Sequence, residues 1–333
     1  MLTISKDNST IIKGIAISMM LACHLFNANR IDLYTSLLYV GDKPFAQWIL
    51  KACGPVGFFM LLSGYGLSYK YSHGGLSFKT QLIRILRLYI HYWIVLAIFL
   101  TIGHIMMPER YPGGLQKLLV RLTAWDSSNE MWFLIPYAIT SVLSPYIIKI
   151  ISKVGNLWSL IATIIIYLAS NYVISRHGNF FYPRLLLYEP LLTLHLLMTF
   201  TMGVVLHRTT INLDQPIKQW VVLIAIAAAV ITICSAHLFG FYIIYLPLMV
   251  ILFTHVKWPK FLRIALLELG RKSMPMWMIH MWFASYLFQS QVYALRYPIL
   301  IFLGLTVASY LLSIPVMWIA DRINRFVPKL TKI

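Results

Sequence analysis

Lys13 and His24 stand in a stretch, residues 10–30, that is otherwise nearly all apolar: TIIKGIAISMMLACHLFNANR. A lysine can hold an anionic group or stabilise developing negative charge. A histidine, with an ordinary pKa of about 6.5, can take and return a proton near neutrality. Eleven residues at about 100° each bring the two within about 20° of one helical face, about 16.5 Å apart along the axis. One stripe thus carries a cation at one level and a base at another. A snorkelling lysine and a hydrogen-bonded packing histidine would also account for the pair.

Four further groups carry polar chemistry into apolar surroundings. In QLIRILRLYIHYWI, Arg84, Arg87 and His91 fall at i, i+3 and i+7 on one face. Two guanidinium forks one turn apart suit bidentate capture of phosphate oxygens, although a positive anchor at a membrane boundary reads the same way. In CGPVGFFMLLSGYGLSYKY, Gly54, Gly57, Gly64 and Gly66 thin a helix for close approach, and Ser63 supplies a hydroxyl with no base nearby in sequence. WDSSNEMWFLIPY holds Asp126, Glu130 and the rings of Trp125 and Trp132, and LLELGRKSMPMWMIHMWF holds His280, which taken alone reads as a core histidine. Glu189, in LLLYEPLL, is an acid at an apolar position for which Arg184 or a neighbouring helix is the expected partner.

The elements that must position these residues are membrane helices. Of 333 residues 59% are hydrophobic and only 11% charged, outside the range of a soluble globular domain. Low-charge windows predict about ten transmembrane helices near 10–28, 46–69, 84–106, 131–149, 157–174, 185–206, 219–237, 239–255, 273–292 and 298–320. Runs such as LIATIIIYLAS do not alternate, so the spans are helical rather than barrel strands. The expected fold is an all-α integral membrane protein, residues 1–333 forming a single polytopic domain in one bundle with no separate soluble domain. The first span lacks a small-x-small cleavage pattern and is expected to stay attached.

Nineteen of the 28 lysines and arginines fall on the N-terminal side of this ten-span arrangement, which predicts both termini in the cytoplasm. The net charge of +18 is dispersed over loops, as topology and anionic lipid require, and nucleic acid is not an expected partner. Cys23, Cys53 and Cys234 are an odd set in apolar segments with no spacing for a disulfide framework or a metal, and no Walker or Rossmann glycine pattern is present.

Five of these elements, in order, resemble the membrane acyltransferase 3 family, over nearly the whole chain. The family opens with an arginine, ten residues and a histidine; Lys13 and His24 keep that spacing with lysine in place of arginine. FFMLLSGYGL at 58–67 is similar to the family's FFVLSGF-like segment, and Arg84, Arg87 and RLYIHYW to its Arg-x-x-Arg entry. EMWFL at 130–134 answers a HLWFL element with Glu130 where histidine is common, and LGRKSMPMWMIH at 269–280 answers the late LGxxSYxIYLIH element.

The resemblance implies an enzyme that O-acylates an extracytoplasmic or lipid-linked glycan, such as a capsule or exopolysaccharide unit, in a multi-pass, bacterial-type cytoplasmic membrane. Acetyl-CoA would be the donor, approaching from the cytoplasm, and no metal is implied. His24 is the expected general base, and Lys13 is expected to position the coenzyme or stabilise charge at the thioester. Arg84 and Arg87 would meet the coenzyme phosphates, with Glu130, Trp132, Ser63 and His280 as supporting residues. The rival readings are a glycan or lipid transporter or flippase, which predicts paired broken helices in an internal repeat, and a sensor that keeps the fold without the chemistry.

Overall fold

The computed structural model describes residues 4–125, 131–209, 217–236 and 242–327. Among these the chain is almost entirely helical: α1 (Lys6–Leu25), α2 (Phe45–Ile49), α3 (Pro55–Ser72), α4 (Phe78–Met106), α5 (Leu115–Thr123), α6 (Leu134–Val154), α7 (Asn156–Phe181), α8 (Leu185–Arg208), α9 (Gln219–Ala236), α10 (Tyr242–His255), α11 (Lys260–Arg271), α12 (Ser273–Met281), α13 (Gln289–Tyr293) and α14 (Pro298–Asn324). The two-residue strands Tyr39–Val40 and Lys43–Pro44 pair antiparallel.

Seven helical stretches are long and apolar enough to cross a membrane: Lys6–Leu25, Phe45–Ser72, Phe78–Met106, Leu134–Val154, Asn156–Phe181, Leu185–Arg208 and Pro298–Asn324. Gln219–Ser235 and Ile243–His255 are shorter apolar helices at two further expected spans. The expected span 273–292 is not one continuous α-helix. It breaks into α12, a π turn at Trp282–Tyr286, and α13. The expected span 46–69 is likewise interrupted, by a 3-10 turn at Leu50–Ala52 ahead of α3. Hydropathy sums transfer free energy over a window and is blind to such breaks.

The chain divides into two compact units. The first comprises Met1–Phe59 and Thr210–Pro315, and the second Met60–Thr209 and Val316–Ile333. In the first unit α1 starts at a capped end, the Ser5 hydroxyl accepting the Asn8 N–H at 3.0 Å. It packs along α11 through two glycines. A Cβ at Gly14 would collide with the Leu266 carbonyl, and one at Gly270 with the Thr10 carbonyl. The pairing runs antiparallel, and α12 then turns back to pack on α1. In lipid, where apolar side chains gain little by leaving the solvent, close backbone approach of this kind supplies the packing.

The second unit repeats the device. Gly64 of α3 abuts the Phe200 carbonyl of α8, and Gly203 of α8 abuts the Leu61 carbonyl of α3. Of the glycines expected to thin α3, Gly64 does so, whereas Gly66 has nothing within 4 Å of its Cβ position. A turn at Gly155, with φ of +91°, folds α7 away from α6.

Helix α5 is a short element that the hydropathy windows pass over. Tyr111 packs against Gly103 near the end of α4, and the chain then runs back alongside that helix. Its last carbonyls are capped by α4 side chains: Tyr89 donates to Thr123 at 3.0 Å, Trp93 to Leu122 at 2.9 Å, and Tyr92 to Arg121. These bonds satisfy the orphan carbonyls of a helix end held beside the middle of α4.

A branched side chain at either interlock should force the helices apart. Gly270→Val and Gly203→Val are each expected to cost about 1–3 kcal/mol, read as a lower melting temperature of the detergent-solubilised protein. Gly66→Ala should leave it unchanged; equal melting of all three variants would contradict the packing described.

Candidate functional site

Lys13 and His24 lie on one uninterrupted helix, α1, as their spacing requires, and both are half-buried. Lys13 immediately precedes Gly14, the residue seated on α11, so its backbone position is set by that contact. His24 falls in the last turn of α1 and meets a second imidazole. The His24 and His280 rings lie with centroids 4.9 Å apart and planes inclined at 56°. His280 is wholly buried on α12. Its Nδ1 lies 2.7 Å from the Trp277 carbonyl, while its Nε2 has no hydrogen-bond partner among the described residues.

The segment around this pair is fastened by Arg30. Its guanidinium donates to the Ala284 carbonyl at 2.5 Å, to the Tyr293 hydroxyl at 3.2 Å and to the Ser285 hydroxyl. Tyr293 in turn donates to the Leu25 carbonyl at 2.7 Å, closing a loop between the end of α1 and α13. The π turn begins two residues after His280, with Leu287 N–H bonding the Trp282 carbonyl at 2.9 Å. Such turns often mark functional sites, because they re-aim side chains that a regular helix would hold elsewhere. At the other end of α12, Glu268 accepts from Lys272 at 2.7 Å, and from Arg271 and Tyr310. The Lys272 bond holds the Glu268 carboxyl down at about 2, so this link between α11, α12 and α14 stays charged.

Cys23 and Cys53 are unremarkable in sequence, yet the fold brings the two free thiols near each other, Cys23 standing next to His24 in the chain. Among the described residues no group of three His, Cys, Asp or Glu side chains is gathered in a way that would hold a metal ion.

In the second unit α4 is continuous through Arg84, Arg87 and His91, keeping them on one face. Arg84 donates to the Tyr137 hydroxyl at 2.5 Å and lies 5.7 Å from the centre of that ring. His91 Nδ1 bonds the Arg87 carbonyl at 2.8 Å. Gln81 accepts from Ser141 at 3.3 Å, so α4 and α6 run antiparallel. This register sets Arg84 opposite the beginning of α6, about 18 Å along that helix from the level of Lys149. Arg84 lies six residues, about 9 Å, from the start of α4.

Trp132 is half-buried with its ring edge-on to Phe133 at 5.9 Å. Glu130 lies outside the described residues. Ser63 is half-buried on α3; two other serines of that helix have histidine partners, Ser68 at 2.9 Å from His207 Nδ1 and Ser72 at 3.2 Å from His73 Nδ1. The expected pairing of Glu189 with Arg184 is not found. Glu189 is fully buried with neither carboxyl oxygen hydrogen-bonded among the described residues, while Arg184 bonds the Phe180 carbonyl and covers its ring. Both Arg184 interactions are local to the turn between α7 and α8, which takes the guanidinium away from α8.

With this arrangement in place, the comparison with known families is decisive. The family described as an acyltransferase domain matches residues 7–318. The chain belongs to this acyltransferase family. The match takes in α1, α3, α4, α12 and most of α14, and so every position singled out above. It makes the protein a membrane acyltransferase with several membrane-length helices. No curated protein and no solved structure matches the chain.

Arg30 is the fastening whose loss can be read directly. Arg30→Ala should accelerate hydrogen exchange across residues 282–293 and lower stability by about 1.5–3 kcal/mol, as for other hydrogen bonds to a charged group. Exchange at the wild-type rate would show that the π turn is held by other means.

Proposed function

We propose that this acyltransferase moves an acetyl group from acetyl-CoA to a hydroxyl of an extracytoplasmic or lipid-linked glycan, from the cytoplasmic membrane of a bacterial-type cell. The reading rests on one observation: family membership spanning residues 7–318, with Lys13 and His24 keeping the Arg-x10-His spacing of the resemblance, lysine in place of arginine, on a single helix here.

In this reaction the acceptor oxygen attacks the thioester carbonyl, forming the ester C–O bond as the C–S bond breaks. The hydroxyl proton passes to a nitrogen of His24 and from there to the departing coenzyme thiolate, so that coenzyme A leaves as the free thiol. Lys13, about 16.5 Å from His24 along α1, positions the anionic coenzyme, a role in which a half-buried cation acts more strongly than one in water. Arg84 and Arg87 receive the coenzyme phosphates. Both are half-buried near the start of α4, one turn apart on one face, where their planar forks suit an anionic ligand. Trp132, Ser63 and Glu130 take supporting parts.

A transporter or flippase has one feature in its favour, the interrupted helices at Leu50–Ala52 and Trp282–Tyr286. It predicts no turnover of a thioester. Purified protein is to be incubated with labelled acetyl-CoA and a panel of neutral oligosaccharides, following coenzyme thiol release and label on sugar. Wild type should release thiol and transfer label, and His24→Ala should lose at least about a hundredfold in rate with coenzyme affinity kept. Arg84→Ala and Arg87→Ala should weaken coenzyme binding. A protein that neither binds acetyl-CoA nor releases thiol would contradict the proposal.

A further inference from the structure

Resting on the reading of His24 as the base, we infer that His280 is its positioning residue: the bare Nε2 of His280 accepts the N–H of one His24 nitrogen, leaving the other His24 nitrogen open toward the acceptor hydroxyl.

The inference starts from a carbonyl. Nδ1 of His280 lies 2.7 Å from the Trp277 carbonyl oxygen. A carbonyl can only accept, so Nδ1 carries the hydrogen and donates. A neutral imidazole has one N–H, which fixes Nε2 of His280 as an acceptor with an unshared pair. That nitrogen is in a wholly buried side chain and has no hydrogen-bond partner among the described residues. Buried acceptors are nearly always satisfied, so a bare one calls for a partner or a role.

His24 is the donor within reach. Two imidazoles joined by an N–H···N bond have centroids about 5 Å apart, and these stand at 4.9 Å. The rings are inclined at 56°, and the inferred bond forms when the His24 ring turns a nitrogen toward Nε2. The two rings are not equivalent: His280 is sealed, whereas His24 is half-buried and keeps a side that a substrate can reach. Arg30 and Tyr293 fasten the segment following His280 to the end of α1.

A bond of this kind selects a tautomer. With one nitrogen of His24 donating to His280, the other is obliged to be unprotonated, as a base awaiting a hydroxyl proton must be. When the hydroxyl proton arrives His24 becomes an imidazolium with an N–H on each nitrogen. One still points to His280, and the other goes to the leaving thiolate. Proton count and charge balance without a carboxylate beside the ring. The residue behind a catalytic or metal-bound imidazole commonly plays this orienting part.

His280→Phe keeps ring shape and removes the acceptor; His280→Gln keeps an acceptor near the Nε2 position. The two are compared with wild type and His24→Ala for label transfer from acetyl-CoA to the oligosaccharide panel, with coenzyme affinity and melting temperature measured alongside. The expected result is at least a hundredfold loss of rate in His280→Phe with coenzyme affinity unchanged, and recovery to within about tenfold of wild type in His280→Gln. As a readout independent of turnover, nitrogen-15 spectra of ring-labelled histidines, with His24 assigned by difference from His24→Ala, should show a single His24 tautomer in wild type and a mixture in His280→Phe. Wild-type rates in His280→Phe beside an inactive His24→Ala would overturn the positioning role while leaving His24 as base. Equal loss in both His280 variants would overturn it too, and an active His24→Ala would remove the reading on which it rests.

Discussion

Two reciprocal glycine contacts set the architecture on which everything else depends. In each unit a pair of helices is brought backbone to backbone, Gly14 on Leu266 and Gly270 on Thr10 in one, Gly64 on Phe200 and Gly203 on Leu61 in the other. Inside a bilayer there is no apolar surface to hide from water, so helix association relies on close packing and interhelical hydrogen bonds. A side chain larger than hydrogen at any of these four positions would meet a backbone atom rather than a flexible neighbour. Register is thereby fixed as well as proximity.

What that register achieves is clearest along α1. Anchored at Gly14, the helix runs ten further residues to His24, where α12 has folded back against it to supply His280. The fastening at this end is polar instead of steric. A guanidinium bonds a backbone carbonyl and two hydroxyls, and one of those hydroxyls bonds the carbonyl of Leu25. The same helix is thus pinned by packing at the level of Lys13 and by hydrogen bonds just beyond His24. The second unit shows a related logic in α5, whose terminal carbonyls are answered by three aromatic side chains of α4. Backbone groups that water cannot reach are given partners within the unit.

Much of this was legible beforehand and some of it was not, for physical reasons. Spacing alone placed Lys13 and His24 on one face, and Arg84, Arg87 and His91 on another, because a continuous helix has only one period. Glycine content in α3 pointed to close approach, but which glycine touches a backbone depends on the partner helix, hence Gly64 and not Gly66. The breaks at Leu50–Ala52 and Trp282–Tyr286 lie inside apolar windows and change no hydropathy sum. Helix α5 is nine residues long, too short to register as a span. His280, read alone as a core histidine, gained a partner only through a contact between residues more than 250 positions apart. The proximity of Cys23 to Cys53 is of the same kind, and no sequence pattern announces it.

The central claim is that the packing of α1 on α11 and α12 sets position 24 against position 280. It can be tested in the membrane by cross-linking. In a background with Cys23, Cys53 and Cys234 replaced by serine, His24→Cys with His280→Cys should be joined efficiently by a short bifunctional thiol reagent. Ser18→Cys with His280→Cys should not. Failure of the 24–280 pair to cross-link in protein that still folds and binds acetyl-CoA would contradict the account.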